Sequence, residues 1–126
     1  MNERYIRQTM IPEIGEAGQE KLKNAKVLIV GIGGLGSPIS LYLTAAGVGQ
    51  IGLIDDDIVS RSNLQRQILY TEAEIGQSKV ECACRRLSAL NSSTRFETYL
   101  NRFTSDNADR LVSAYDIIID GCDNAA

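Results

Sequence analysis

Histidine is absent from the 126 residues, and cysteine occurs only at positions 82, 84 and 122. Without an imidazole to activate it, Cys122 does not read as a catalytic thiol. An odd number of cysteines, two of them in a C-x-C on a helical pattern, fits neither a zinc framework nor a secreted disulfide framework. Free reduced thiols are expected, with Cys82 and Cys84 as small packing residues. No apolar run approaches the roughly 20 residues of a bilayer span. The start Met1-Asn2-Glu3-Arg4-Tyr5 has charge but no apolar signal core. A cytoplasmic protein with no membrane partner is expected. Thirteen Lys and Arg stand against 16 Asp and Glu, for a net charge of -3, and no cationic stretch is long enough to track a phosphate backbone. A nucleic-acid partner is therefore not expected. Internal repeats and low-complexity tracts are also lacking.

What is there alternates between two periodicities. Gly18 to Asn24 has helical character and leads into Lys26-Val27-Leu28-Ile29-Val30, an apolar, β-branched run of the kind buried on both faces of a parallel sheet. Ser37 to Ala46 reads as a helix, with Pro38 in its first turn and Gly47 at its end. Ile51 to Ile54 reads as a second strand. Gln77 to Leu90 spaces Val80, Ala83, Cys84, Leu87 and Leu90 on one helical face, and Arg95 to Leu100 alternates as a strand does. A helix over Asp106 to Ser113 and a last buried strand, Asp116 to Asp120, complete the pattern. This order predicts an α/β fold: right-handed crossovers building a mostly parallel sheet with helices on both faces. Ligands of such sheets bind beyond the carboxyl ends of the strands, where every polar cluster of this chain falls.

Gly31, Gly33 and Gly36 form G-x-G-x-x-G between the first strand and the following helix. There the backbone can approach phosphate and the helix amino end supplies N–H donors. Asp55, roughly 20 residues on at the end of the second strand, is placed to accept hydrogen bonds from ribose hydroxyls. That acid alone does not choose between NAD and ATP. Asp56 and Asp57 read equally as a solvated turn or as groups near a metal or substrate. Arg66 offers a planar fork for phosphate oxygens, and Lys79 a point charge that could reach the same anion, although either could be an ordinary surface residue. Asp120-Gly121-Cys122-Asp123-Asn124 puts a carboxylate and an amide after a strand, an arrangement suited either to a hard cation or to a turn. Asp123 is the metal candidate.

Taken in order, Arg4-Tyr5-x-Arg7-Gln8, Gly18-Gln19-x-Lys21-Leu22, the GIGGLGSP turn from Gly31 and Ala46-Gly47-Val48-Gly49 resemble the amino-terminal half of the ThiF/MoeB/HesA family, bacterial relatives of ubiquitin-activating enzymes. The resemblance continues through Asp55-x-Asp57-x-Val59-x-x-Ser62-Asn63-Leu64-Gln65-Arg66-Gln67, Ile75-Gly76-x-x-Lys79 and Asp120-Gly121-x-Asp123-Asn124. It implies a Rossmann-like domain over residues 1–126, with residues 1–24 a helical segment in dimer contact. The implied activity is an ATP-dependent adenylyltransferase acting on the C-terminal carboxylate, usually Gly-Gly, of a ubiquitin-like sulfur carrier in thiamine, molybdopterin or related biosynthesis. By the same resemblance Gly34 lies against the nucleotide, Asp55 holds ribose, and Asn63, Arg66 and Lys79 bind phosphates. Asp57, Ser62, Gln65 and Asn124 belong to the nucleotide site, Asp123 holds Mg2+, and Arg7 reaches across a homodimer to the partner's ATP.

Family members run to about twice this length. Their further half carries paired Cys-x-x-Cys sites for structural Zn2+, a crossover loop and, in some, a sulfur-accepting cysteine. The chain thus reads as a fragment cut after its fourth strand, able to bind nucleotide without adenylating, with an unpaired edge and an apolar face that favour self-association. Two other classes share some of these features. An NAD-dependent oxidoreductase has the glycine turn and Asp55 but no need of Arg66, Lys79 and Asp123 around a phosphate. A non-catalytic dimerisation module has no need to keep the set intact.

Overall fold

The computed structural model describes residues 15–33, 36–57, 59, 71–100 and 103–121, and of Ser37 only the backbone. In chain order these form helix α1 (Gly15–Asn24), strand β1 (Lys26–Val30), α2 (Gly36–Ala46) and β2 (Gln50–Ile54). After a single 3₁₀ turn at Glu72–Glu74 come α3 (Lys79–Leu90), β3 (Arg95–Tyr99), α4 (Ser105–Ala114) and β4 (Ile117–Asp120). The four strands make one sheet in the order β3-β2-β1-β4, and all three pairings are parallel. The chain steps one way from β1 to β3, then returns to the far side of β1. That reversal creates a switch point between β1 and β4, the place where doubly wound sheets bind their ligands.

Why β1 sits in the middle is legible in its side chains. Val27 and Ile29 face one layer with Ile51, Leu53, Val80, Ala83 and Leu87. Leu28 and Val30 face the other, with Ile54, Leu111 and Tyr115. A strand apolar at every position can be stable only where both faces are covered, and Leu28, Ile29, Ile51 and Leu53 have no exposure at all. Each fully buried side chain of this size contributes roughly 1.5–3 kcal/mol relative to an exposed one.

The helix boundaries follow from local hydrogen bonding. At the end of α2 the N–H of Gly47 donates to the Thr44 carbonyl at 3.2 Å and that of Val48 to Leu43 at 3.2 Å. This paired closure satisfies carbonyls that the helix leaves open. α3 begins at Lys79 rather than at Gln77. The Gln77 carbonyl accepts the Val59 N–H at 2.8 Å, and the Val59 carbonyl accepts that of Gly76 at 2.8 Å, so the residues ahead of the helix are engaged by the segment following β2.

β4 departs from the expectation of a burial comparable to β1. It is parallel, but among the described residues its pairing is with β1 alone, and Ile117 is 52% exposed. An edge position, with α4 burying Leu111 and the following Tyr115 in the core beside it, accounts for the difference. No helix among the described residues is long and apolar enough to cross a membrane.

Candidate nucleotide site

Register brings the site together. Val30 of β1 is paired with Ile54 of β2 on one side and with Asp120 of β4 on the other. The residues that follow, Gly31, Asp55 and Gly121, therefore emerge along one edge of the sheet, at the switch point. The Gly31 N–H donates to the Ile54 carbonyl at 2.9 Å and the Gly121 N–H to the Val30 carbonyl at 2.7 Å, tying all three strand ends into one platform.

The glycine turn is built by close approach. Gly31 has a φ of +89°, in the region that disfavours any side chain. A β-carbon on Gly36, the first residue of α2, would collide with the Gly31 carbonyl oxygen. A β-carbon on Gly121 would lie 2.7 Å from the Gly36 Cα and 2.9 Å from its nitrogen. The amino end of α2 is thus pressed against the turn and backed by the end of β4. Ile32 and Gly33 are buried.

Asp55 locks this turn. One carboxylate oxygen accepts the Ile32 N–H at 2.8 Å, the other the Asp57 N–H at 2.8 Å. Each oxygen retains a further acceptor site, so the same group can staple the loop and receive ribose hydroxyls. Asp57 in turn reaches α3: its carbonyl accepts the Lys79 N–H at 3.1 Å, and its carboxylate lies 3.8 Å from the Lys79 ammonium.

Lys79 is the most informative residue of the cluster. It is 5% exposed and occupies the first position of a helix, where the peptide dipoles already concentrate positive charge. A buried cation there is doubly unfavourable unless anions compensate it. The Asp57 carboxylate, 69% exposed itself, is too far for a charge-assisted hydrogen bond, which spans about 2.7–2.9 Å. The buried hydroxyl oxygen of the preceding residue, Ser78, has no hydrogen-bond partner among the described residues. A cation and a donor left short of partners at a helix amino end are what an arriving phosphate would satisfy.

The chemistry of this donor set suits a nucleotide better than a bare metal ion. Asp55, Asp56 and Asp57 can bring one oxygen each within 4.8 Å of one another. However, both Asp55 oxygens already accept backbone N–H groups and Asp57 faces an ammonium. Among the described residues the structure therefore brings together Gly31, Gly33, Gly36, Asp55, Asp57 and Lys79. Arg7, Gly34, Ser62, Asn63, Gln65, Arg66, Asp123 and Asn124 lie outside the described residues, as does Cys122.

Sequence reasoning missed two features: the role of Gly121 as backing for the turn, and the stapling of Ile32 by Asp55. The Asp-Gly pair ending β4 was the available signal for the first. Cys82 is fully buried and Cys84 partly so, and both are free, in keeping with small packing residues. Burial, followed by the hydrogen bond and charge of Glu74, pushes the Cys82 thiol up to about 11, against a smaller lowering by Arg85. Glu74 itself stays below the usual carboxylate range. Burial raises it, but hydrogen bonds from the Thr71 backbone, Cys82, the Thr71 hydroxyl and Arg85 outweigh that effect.

A parallel sheet with a glycine turn, an acid at the end of the second strand and a buried cation at its switch point defines a Rossmann-like α/β domain. The sequence profile of the ThiF family matches residues 5–126, and the chain belongs to that family. It is similar to the sulfur carrier protein adenylyltransferase of Thermus thermophilus, 48% identical over 122 residues, covering 97% of this chain and 45% of that protein. The adenylyltransferase and sulfurtransferase MOCS3 of Culex quinquefasciatus is 51% identical over 123 residues, covering 98% of this chain and 28% of the relative. Among solved structures, the E. coli tRNA N6-threonylcarbamoyladenosine dehydratase TcdA in complex with ATP superposes with a TM-score of 0.90 at 31% identity, over 97% of this chain and 50% of that one. The chain thus spans about half the length, or less, of the relatives it matches.

Proposed function

We propose that this chain carries the ATP site of an adenylyltransferase that activates the C-terminal carboxylate, ending in Gly-Gly, of a ubiquitin-like sulfur-carrier protein. The observation that carries the reading is Lys79: a buried, under-compensated ammonium at a helix amino end, linked through Asp57 and Asp55 to the glycine turn. The names of the relatives and the ATP complex of TcdA support it.

In this account the carrier carboxylate attacks the α-phosphorus, the bond to the β-phosphate oxygen breaks and pyrophosphate leaves, giving an acyl-adenylate. Negative charge grows on the phosphoryl oxygens and on the leaving group. Lys79 and Arg66, together with Arg7 from the second subunit of a homodimer, stabilise that charge without reorganising. No general base is required because the nucleophile is already ionised. Asp55 orients the ribose, and Gly31, Gly33, Gly34 and Gly36 let the phosphates approach the backbone, with Ser62, Asn63, Gln65 and Asn124 completing the pocket. Asp123 would hold magnesium, which would supply charge neutralisation of the polyphosphate. The setting is a cytoplasmic sulfur-transfer route of the thiamine or molybdopterin type, with structural Zn2+ held by residues outside this chain.

Pyrophosphate exchange in the full-length protein tests this. Lys79→Met keeps the buried stem but removes the charge. Exchange should fall on the order of a hundredfold or more, as for loss of one preorganised donor, and Arg66→Ala should behave alike. Because an under-compensated buried cation destabilises the nucleotide-free fold, Lys79→Met should leave Tm unchanged or raised. Exchange within a fewfold of wild type in both variants would refute the assignment.

A further inference from the structure

Among the described residues, Asp57 touches both halves of the site. Its backbone N–H donates to Asp55, its carbonyl receives the Lys79 N–H, and its carboxylate is the ion-pair partner of the Lys79 ammonium at 3.8 Å. A carboxylate in direct contact with a triphosphate would repel it, and the burial contrast points the same way. The lysine side chain is 6% exposed and the aspartate side chain 69%, so the aspartate faces solvent while the lysine is enclosed. From this geometry, and resting on the ATP reading above, we infer that Asp57 is a positioning residue. It fixes the start of α3 against the end of β2 and holds the Lys79 ammonium ready, surrendering it to the incoming phosphate, and it contacts neither nucleotide nor metal itself.

The 3.8 Å separation suits that role. A close hydrogen-bonded pair would have to be broken before Lys79 could engage phosphate, whereas a looser pair compensates the buried charge and still lets it shift. The carboxylate and the backbone of Asp57 do separable work: substitution of the side chain leaves the bonds from its N–H and to its carbonyl in place.

A double-mutant cycle in the full-length protein, read by calorimetric Kd for ATP and by Tm, separates this role from direct ligation. Asp57→Asn should weaken ATP binding about tenfold and lower Tm by a few degrees, because it leaves Lys79 buried without its counter-charge. Asp57→Glu should restore part of both. In the Lys79→Met background, Asp57→Asn should change neither quantity. If instead its effect on ATP affinity persists at full size in that background, Asp57 is itself a ligand of the nucleotide or its metal and the inference fails, while the ATP reading stands. If Lys79→Met alone leaves ATP affinity intact, both fail.

Discussion

At the scale of single residues, burial decides what each polar group can do. Cys82 has no exposure, and its thiol is pushed up to about 11 from an ordinary value of 9.0, first by desolvation and then by Glu74. A folded-state value above the unfolded one means that its contribution to stability is fully present below about pH 9. That contribution is lost as pH rises through about 11. In a variant with Cys84→Ser and Cys122→Ser, alkylation of Cys82 at pH 8 should be about a hundredfold slower in the native protein than in the denatured chain, following its roughly hundredfold smaller thiolate fraction. Equal rates would contradict the packing role. Lys79 is the opposite case: it is 5% exposed, and on the proposed function its charge is kept buried at a cost to the nucleotide-free fold because a phosphate needs it. Its importance was legible only as a cation at a plausible distance along the chain. That it is enclosed, and that Asp57 is its partner, depends on the approach of α3 to the end of β2, which no local pattern encodes.

Among the elements, the strands were the most legible. β1 and β2 are apolar at nearly every position, and such runs suit a sheet covered on both faces and little else. Their parallel pairing and the helices between them follow from the alternation. One feature escaped because it arises from contacts between distant segments: the first turn expected of α3 is engaged by Val59 and held outside the helix. The edge at β4, unpaired among the described residues, agrees with the expected cut after the fourth strand; what composition alone misjudged is the exposure of Ile117 there. The junction of β1, α2 and β4 carries the clearest element-level test. A methyl group on Gly36 would run into the Gly31 carbonyl, and Gly121 closes the other side, so α2 would have to back away from the turn. Gly36→Ala should lower Tm by several degrees and abolish detectable ATP binding, whereas an unaltered Tm would show that the approach is looser than described. The cost belongs to overpacking against rigid backbone, typically about 1–3 kcal/mol.

For the molecule as a whole, the central claim is that one sheet edge, at the switch between β1 and β4, has been built for a nucleotide whose phosphates react. The glycine turn and Asp55 would serve NAD equally well; what departs from a dinucleotide site is the enclosed ammonium of Lys79 across from them. The measurement that tests this most directly is a calorimetric titration of the protein with ATP and magnesium, set beside NAD under the same conditions and repeated with Lys79→Met. The account predicts selective binding of ATP, with no heat from NAD, and loss of the ATP signal in the variant. Preference for NAD, or ATP binding indifferent to the loss of Lys79, would contradict it.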